Sequence, residues 1–138
     1  MVKTKRMDKL EYISGDLVMV KKSALQFAKD KIFKVISSLS GGFLKVVMLN
    51  DSSTTYSISN NAIRPIPLTP EILEKNEWKS INGKYALKIK NANYVVLEFT
   101  EDGIYTYINE NTMLFTIKYI HELQHLLYAL HIDSNLKI

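Results

Sequence analysis

The stretch YVVLEFTEDGIYTYI, residues 94–108, decides the fold of the second half of this chain. It contains two runs of apolar and β-forming residues separated by Glu101-Asp102-Gly103, a sequence typical of a tight turn between antiparallel strands. Residues 84–89 have a similar pattern and are followed by a second turn sequence, Asn91-Ala92-Asn93. We therefore predict a three-stranded antiparallel meander.

Two helices accompany this meander in the sequence. Residues 116–131 carry apolar side chains at helical spacing, namely Ile117, Ile120, Leu123, Leu127 and Leu130. This final helix can cover the apolar face of the sheet. A short helix is predicted at residues 70–75, because Thr69 can cap it, Pro70 suits its first position and Glu71 its first turn.

The first half of the chain predicts a smaller β structure. Its β-forming runs lie at residues 17–20, 31–36, 43–49 and 54–58. Turn sequences such as Ser40-Gly41-Gly42 separate them. Several short strands so close together indicate an SH3-like small barrel, because closure removes exposed strand edges. The prolines of residues 63–68 exclude a helix and predict an extended connector. Residues 24–28 fit either one helical turn or a loop.

The chain is thus predicted to be an α+β protein with three segments. Residues 1–14 form a basic N-terminal arm, residues 15–68 a small β-barrel, and residues 69–138 the short helix, the meander and the final helix.

The composition restricts the chemistry that the chain can perform. The chain has 46% hydrophobic residues, 23% charged residues and no cysteine, which excludes disulfides and thiolate metal sites. The longest apolar runs are far shorter than the roughly 18 residues of a membrane span. We expect a cytoplasmic protein with no membrane partner.

Positive charge is concentrated in the first half of the chain. Residues 1–68 contain eleven Lys and Arg against five Asp and Glu, whereas residues 69–138 contain seven against nine. A basic half favours nucleic acid or another anionic partner, although an ordinary solvated surface has a similar charge density. The candidate contacts are Lys21, Lys22, Lys31, Lys34 and Lys45.

The sharpest chemical motif is His121-Glu122-Leu123-Gln124-His125. His-Glu-x-x-His on a helix places two imidazoles on one face to bind Zn²⁺, with the glutamate as general base. His131 has the spacing of a third zinc ligand, but Tyr128 stands where the metzincin pattern has a glycine.

A helical wheel favours a different interpretation of this motif. His121, Glu122 and His125 lie roughly opposite the apolar stripe, which predicts a solvated polar face. On an unbroken helix His131 points away from His121 and lies too far along the axis to share a metal with it. Asp133 is the only acidic residue after the motif.

Aromatic residues form a second candidate site on the meander. An aromatic surface there would serve either for core packing or as a ligand platform. Its members would be Trp78, Tyr85, Tyr94, Tyr105 and Tyr107.

A family resemblance rests on three parts of the sequence. They are IRPIPLTPEILEKN at residues 63–76, KYIHELQHLL at residues 118–127, and Gly15-Asp16. They resemble a family of uncharacterised small proteins from gut anaerobic bacteria, their phages and mobile elements. That family brings no known function to this chain. It accepts other residues at the positions of Glu122 and His125, so the resemblance implies a shared helix rather than a zinc site.

These observations lead to two functional hypotheses. The first is a non-enzymatic binding or accessory protein of a bacterial or phage system, without a cofactor, whose partner is protein or nucleic acid. A homodimer is compatible with it. The alternative is a zinc-dependent hydrolase with His121 and His125 as ligands and Glu122 as general base.

Overall fold

The computed structural model describes residues 12–20, 31–109 and 111–138. Most of the predicted basic arm, and the helical turn or loop predicted at residues 24–28, lie outside the described residues. The chain divides into two compact units, Met1–Pro65 and Ile66–Ile138. Each unit contains a five-stranded sheet whose paired strands are antiparallel, so the predicted α+β class is confirmed at the level of a strand-rich chain with few helices.

The first unit is one open sheet. Its strand order is β4-β3-β2-β1-β5, and a 3-10 turn at Asn60–Ala62 separates the last two strands of the sequence. Among the described strands β4 and β5 are the two edges, so the predicted closure of a barrel is not observed. The strands are β1 (Leu17–Val20), β2 (Ile32–Leu39), β3 (Phe43–Met48), β4 (Asp51–Ser59) and β5 (Ile63–Pro65).

Alternation along these strands builds a core on one face of the first sheet. Phe33 and Val35 of β2 point into it, and the ring of Phe33 meets Tyr56 edge-on at 6.1 Å. At the entry to β1, the buried Asp16 carboxylate accepts a hydrogen bond of 2.8 Å from the Ile13 N–H. The core cluster comprises Tyr12, Val18, Val20, Phe33, Val35, Leu44, Val46, Ile58 and Ile63.

The connector predicted at residues 63–68 begins with a strand. Ile63 pairs with Val20, and Pro65 lies opposite Val18. Proline is tolerated there because β5 is an edge strand of the described sheet, where a missing N–H costs no central ladder bond. The predicted extended geometry is therefore confirmed for the first three residues of the connector, which also pair as a strand.

The second unit contains a five-stranded sheet of order β10-β9-β8-β7-β6. The predicted three-stranded meander forms its middle, and one strand is added on each side. Its elements are α1 (Pro70–Lys75), β6 (Lys79–Ile81), β7 (Lys84–Lys88), β8 (Tyr94–Thr100), β9 (Gly103–Ile108), β10 (Thr112–Ile117) and α2 (Ile120–Ala129).

Helix α1 has the predicted bounds. The Thr69 hydroxyl oxygen accepts a hydrogen bond from the Ile72 N–H at 3.4 Å, and Pro70 occupies the first turn. Local chemistry alone was sufficient to predict this helix, since its capping residue and its proline are adjacent in the sequence.

Helix α2 is shorter than the helix predicted at residues 116–131. Thr116 and Ile117 belong to β10, and Tyr119 keeps extended backbone because it forms a bridge with Pro67. At the other end, His131 adopts a left-handed conformation with φ of 63°. The Ile132 N–H then bonds back to the Leu127 carbonyl at 2.8 Å, which closes the helix with a Schellman motif.

Within the residues that the structure describes, no helix combines the length and the apolar character that crossing a bilayer requires.

A β-bulge interrupts β10 between Met113 and Thr116. The buried Thr106 hydroxyl of β9 fills this gap in the ladder: it donates to the Phe115 carbonyl at 2.6 Å and accepts from the Phe115 N–H at 3.1 Å. One side chain thus replaces the ladder bonds that the bulge removes.

Thr106→Val should destabilise the protein by about 1–2 kcal/mol, because valine has a similar shape but leaves both backbone groups of Phe115 without this partner. Urea unfolding would measure the loss. Thr112→Val, at an exposed position of β10, is the matched control and should change stability by less than about 0.5 kcal/mol. Equal effects of the two substitutions would contradict the role assigned to Thr106.

Candidate functional site

The entry to α2 is organised by Glu122. One oxygen of its carboxylate, Oε1, accepts hydrogen bonds from the backbone N–H groups of Lys118 (2.7 Å) and Tyr119 (3.0 Å). This is the reach-back bond of a capping box, in which the third helical residue satisfies donors that precede the helix. In this geometry Glu122 acts as a helix cap, with that oxygen engaged by the backbone.

The segment before α2 is fixed by backbone bonds to residues 66–68. The Ile120 N–H donates to the Ile66 carbonyl at 2.8 Å, and the Leu68 N–H donates to the Lys118 carbonyl at 3.0 Å. The start of α2 therefore depends on a strand-like pairing that is remote in the sequence.

His121 is buried, with only 2% of its surface exposed. Its ring stacks on Tyr119 with centroids 6.0 Å apart, and it meets the ring of His125 edge-on at 5.5 Å. The Nδ1 atom of His121 is buried without a hydrogen-bond partner, although the residue makes other interactions. The predicted solvated face was wrong for this histidine.

A second polar residue of α2, Gln124, is also buried. Only 5% of its surface is exposed. Its side-chain Nε2 donates to the Ser134 carbonyl at 3.2 Å. At 100° per residue Gln124 lies beside Ile120 at the edge of the apolar stripe. The chain after α2 folds back over this part of the helix.

The motif residues meet only part of what a zinc site requires. His121 and His125 are adjacent, but the Glu122 carboxylate binds backbone N–H groups, and His131 is exposed in the turn that ends α2. Within residues 12–20, 31–109 and 111–138, no group of three or more His, Asp or Glu side chains could hold a metal ion. The motif therefore offers two neighbouring imidazoles and no third ligand in the described part of the chain.

The lysines proposed as anion contacts are distributed over the first unit. Lys34 and Lys45 lie on neighbouring strands and alternate with the core residues, so they point to the face opposite the core cluster. Lys31 is exposed just before β2, and Lys45 is also exposed. Lys21 and Lys22 lie outside the described residues.

The predicted aromatic surface is divided between two faces of the second sheet. Trp78 is buried, and Tyr85 packs edge-on against Phe99 at 5.9 Å on the same face as Leu97. The opposite face, called here the outer face, carries Tyr94, Tyr105 and Tyr107.

Tyr107 lies at the centre of a row of side chains that crosses the outer face. Its register partners are Val96 and Met113, and Lys79 stands at the far end of the row opposite Ala86. The Lys84 Nζ lies 5.7 Å from the centre of the Tyr107 ring.

Glu98 also interacts with Tyr107. The Tyr107 hydroxyl donates a hydrogen bond to the Glu98 Oε1 at 3.0 Å. Partial desolvation, followed by this hydrogen bond and the nearby negative charge, raises the pKa of Tyr107 above its ordinary value. The phenol therefore stays protonated and neutral at physiological pH.

The edge strand β10 adds two exposed apolar side chains that sequence reasoning missed. Met113, on the outer face, is 48% exposed and Phe115 is 49% exposed. The run of β-forming residues from Thr112 to Ile117 was the available signal, but it was assigned in part to the final helix.

Family models, curated proteins and solved structures all give no significant match to this chain.

Glu122→Ala should destabilise the protein by about 1–2 kcal/mol, because the N–H groups of Lys118 and Tyr119 lose their acceptor. Glu122→Gln retains a side-chain oxygen and should cost less than half as much. Thermal or urea unfolding of both variants measures the difference. If the two variants were as stable as the unsubstituted chain, the capping role would be contradicted.

Proposed function

We propose that this chain is a non-enzymatic binding protein whose partner is another protein. The observation that carries the proposal is the outer face of the second sheet together with the edge of β10. Five aromatic or apolar side chains are partly or substantially exposed there, namely Tyr94, Tyr105, Tyr107, Met113 and Phe115. Tyrosine, phenylalanine and methionine are enriched in protein interfaces, where they supply apolar contact area at a small entropic cost.

The charges beside these residues suggest the chemistry of the partner. Lys79 and Lys88 are exposed and Lys84 is half-buried on the same face. The Glu98 carboxylate is already bonded to Tyr107. A partner with an apolar patch surrounded by acidic residues would complement this arrangement.

The first unit supports a binding role by its topology. A meander of order β4-β3-β2-β1-β5, with a 3-10 turn before β5, is the arrangement expected of an SH3-like small barrel, and we propose that fold for it. With the family resemblance, this favours an accessory protein of a bacterial or phage system. The absence of cysteine suits the cytoplasm.

Nucleic acid is the weaker partner in this account. Lys31, Lys34 and Lys45 supply point charges that neutralise phosphate, but lysine reads bases poorly. Of the partly exposed tyrosines that the structure describes, all but Tyr56 lie in the second unit, where acidic residues outnumber basic ones.

The zinc hydrolase is the alternative function, and one observation favours it: the His121 and His125 rings are 5.5 Å apart. Against it stands the engagement of Glu122 by backbone N–H groups. A general base must instead reach a metal-bound water.

Metal analysis of untagged protein separates the two functions. We expect much less than one equivalent of zinc per chain, and no difference between the unsubstituted protein and a His121→Ala variant. Zinc near one equivalent that is lost on substitution would contradict the proposal and favour the hydrolase. His131→Ala, at an exposed histidine outside the pair, is the matched control.

The double variant Met113→Lys and Phe115→Lys should lower recovery of the partner protein from the native cells by about tenfold, because it places charge on two anchor positions. Phe43→Lys, at a 42% exposed position of the first sheet, is the control and should retain the partner. Quantitative mass spectrometry of the purified complexes measures recovery. Equal loss of the partner protein in both variants would contradict the proposal. Recovery of nucleic acid as the partner would also contradict it, and nuclease or moderate salt would then release that nucleic acid.

A further inference from the structure

A groove in the second unit lies beside the end of α1, away from the row of side chains on the outer face. Its volume is about 360 Å³, and Asn76, Trp78 and Leu127 lie along it. Residues 132–138, called here the return segment, form its other side through Ile132 and Leu136. The groove is therefore bounded by helix and strand residues on one side and by a stretch of chain without helix or strand on the other.

Asn76 holds the return segment by its backbone. The Asn76 side-chain Oδ1 accepts from the Lys137 N–H at 2.8 Å, and its Nδ2 donates to the Lys137 carbonyl at 2.9 Å. Nδ2 also donates to the Ile72 carbonyl at 2.8 Å, which fixes the amide at the end of α1. A preoriented amide that pairs with both backbone groups of one residue recognises extended peptide whatever side chain that residue carries.

The side chains of the return segment follow a period of two. Ile132, Ser134, Leu136 and Ile138 are half-buried, whereas the residues between them are exposed. A second backbone contact comes from Gln124, which donates to the Ser134 carbonyl at 3.2 Å. Alternating side-chain contacts together with backbone hydrogen bonds are the pattern by which protein grooves bind extended peptides.

The return segment is held weakly compared with the core. Its apolar side chains are only half-buried, and both bonds to Lys137 are exposed to solvent. Segments with few buried contacts and exposed hydrogen bonds open at a small free-energy cost. Space beside Trp78 remains unfilled while the segment is in place.

We propose that the surface along Asn76, Trp78 and Leu127 is a peptide-docking site, and that the return segment occupies part of it in cis. The ligand is an extended segment of a partner protein with apolar residues at alternate positions. The Asn76 side-chain amide bonds to the backbone N–H and carbonyl of one of its residues. The cis occupant has the advantage of a high effective concentration, so a partner peptide enters only when the return segment leaves. Of the residues that line the groove, only Lys88 also belongs to the outer face. The tests below do not involve Lys88 or the anchor positions of the outer face, so their failure is distinguishable from failure of the proposed function.

The test uses the full chain and a labelled synthetic peptide of residues 133–138. A Lys137→Pro variant removes the N–H that donates to Asn76 and should free the groove, whereas Lys137→Ala keeps the backbone unchanged. Fluorescence anisotropy should show the peptide binding the Lys137→Pro chain about tenfold more tightly than the Lys137→Ala chain. Equal affinities, or no saturable binding to either chain, would overturn the proposal.

A second experiment uses a shortened protein and two peptides that differ at position 137. A chain ending at Asp133 has an empty groove, and its single tryptophan, Trp78, should report peptide binding by a saturable change in emission. A peptide carrying proline at position 137 should bind this chain about tenfold more weakly than one carrying alanine. Equal binding of the two peptides would overturn the role of Asn76.

Sedimentation of the unsubstituted chain provides the remaining check. A monomer over a wide concentration range supports occupation in cis. A dimer that forms with rising concentration and disappears when residues 134–138 are removed would overturn it, because the occupant would then be the return segment of a second copy.

Discussion

The burial of helix α2 is the constraint on which the second unit depends. Six of its residues, including His121 and Gln124, are buried, so polar groups on and around it must find partners within the protein. Glu122 satisfies the N–H groups that precede the helix, and Gln124 satisfies a carbonyl of the segment that follows it. The chain on both sides of α2 therefore takes its course from these bonds.

The same constraint changes the meaning of the His-Glu-x-x-His motif. A zinc hydrolase needs its glutamate facing a metal-bound water, but here the carboxylate faces the backbone at the start of the helix. His121 is buried and packs between the rings of Tyr119 and His125. Residues that match a catalytic pattern in sequence can thus serve a structural purpose. The surfaces that we propose for binding are the outer face and the groove beside Asn76.

The sequence predicted the elements whose determinants are local. Helix α1 has its cap and its proline within two residues, and the hairpin of β8 and β9 has its turn sequence between its strands. The start of α2 could not be predicted in this way, since it depends on pairing of Pro67 with Tyr119. The bond from Gln124 to the Ser134 carbonyl and the bond from the Lys137 N–H to Asn76 depend on a chain return after the helix. Periodicity within the helix carries no information about either.

Amide hydrogen exchange, resolved by residue with NMR, tests the central claim that Glu122 is a helix cap. Lys118 is an exposed residue, so only its bond to the Glu122 carboxylate should slow exchange of its N–H. If Glu122 is the cap, protection at Lys118 and Tyr119 should approach that of Ile120, whose N–H bonds to the Ile66 carbonyl. Exchange at the unfolded rate for Lys118 and Tyr119, with Ile120 still protected, would contradict the capping role.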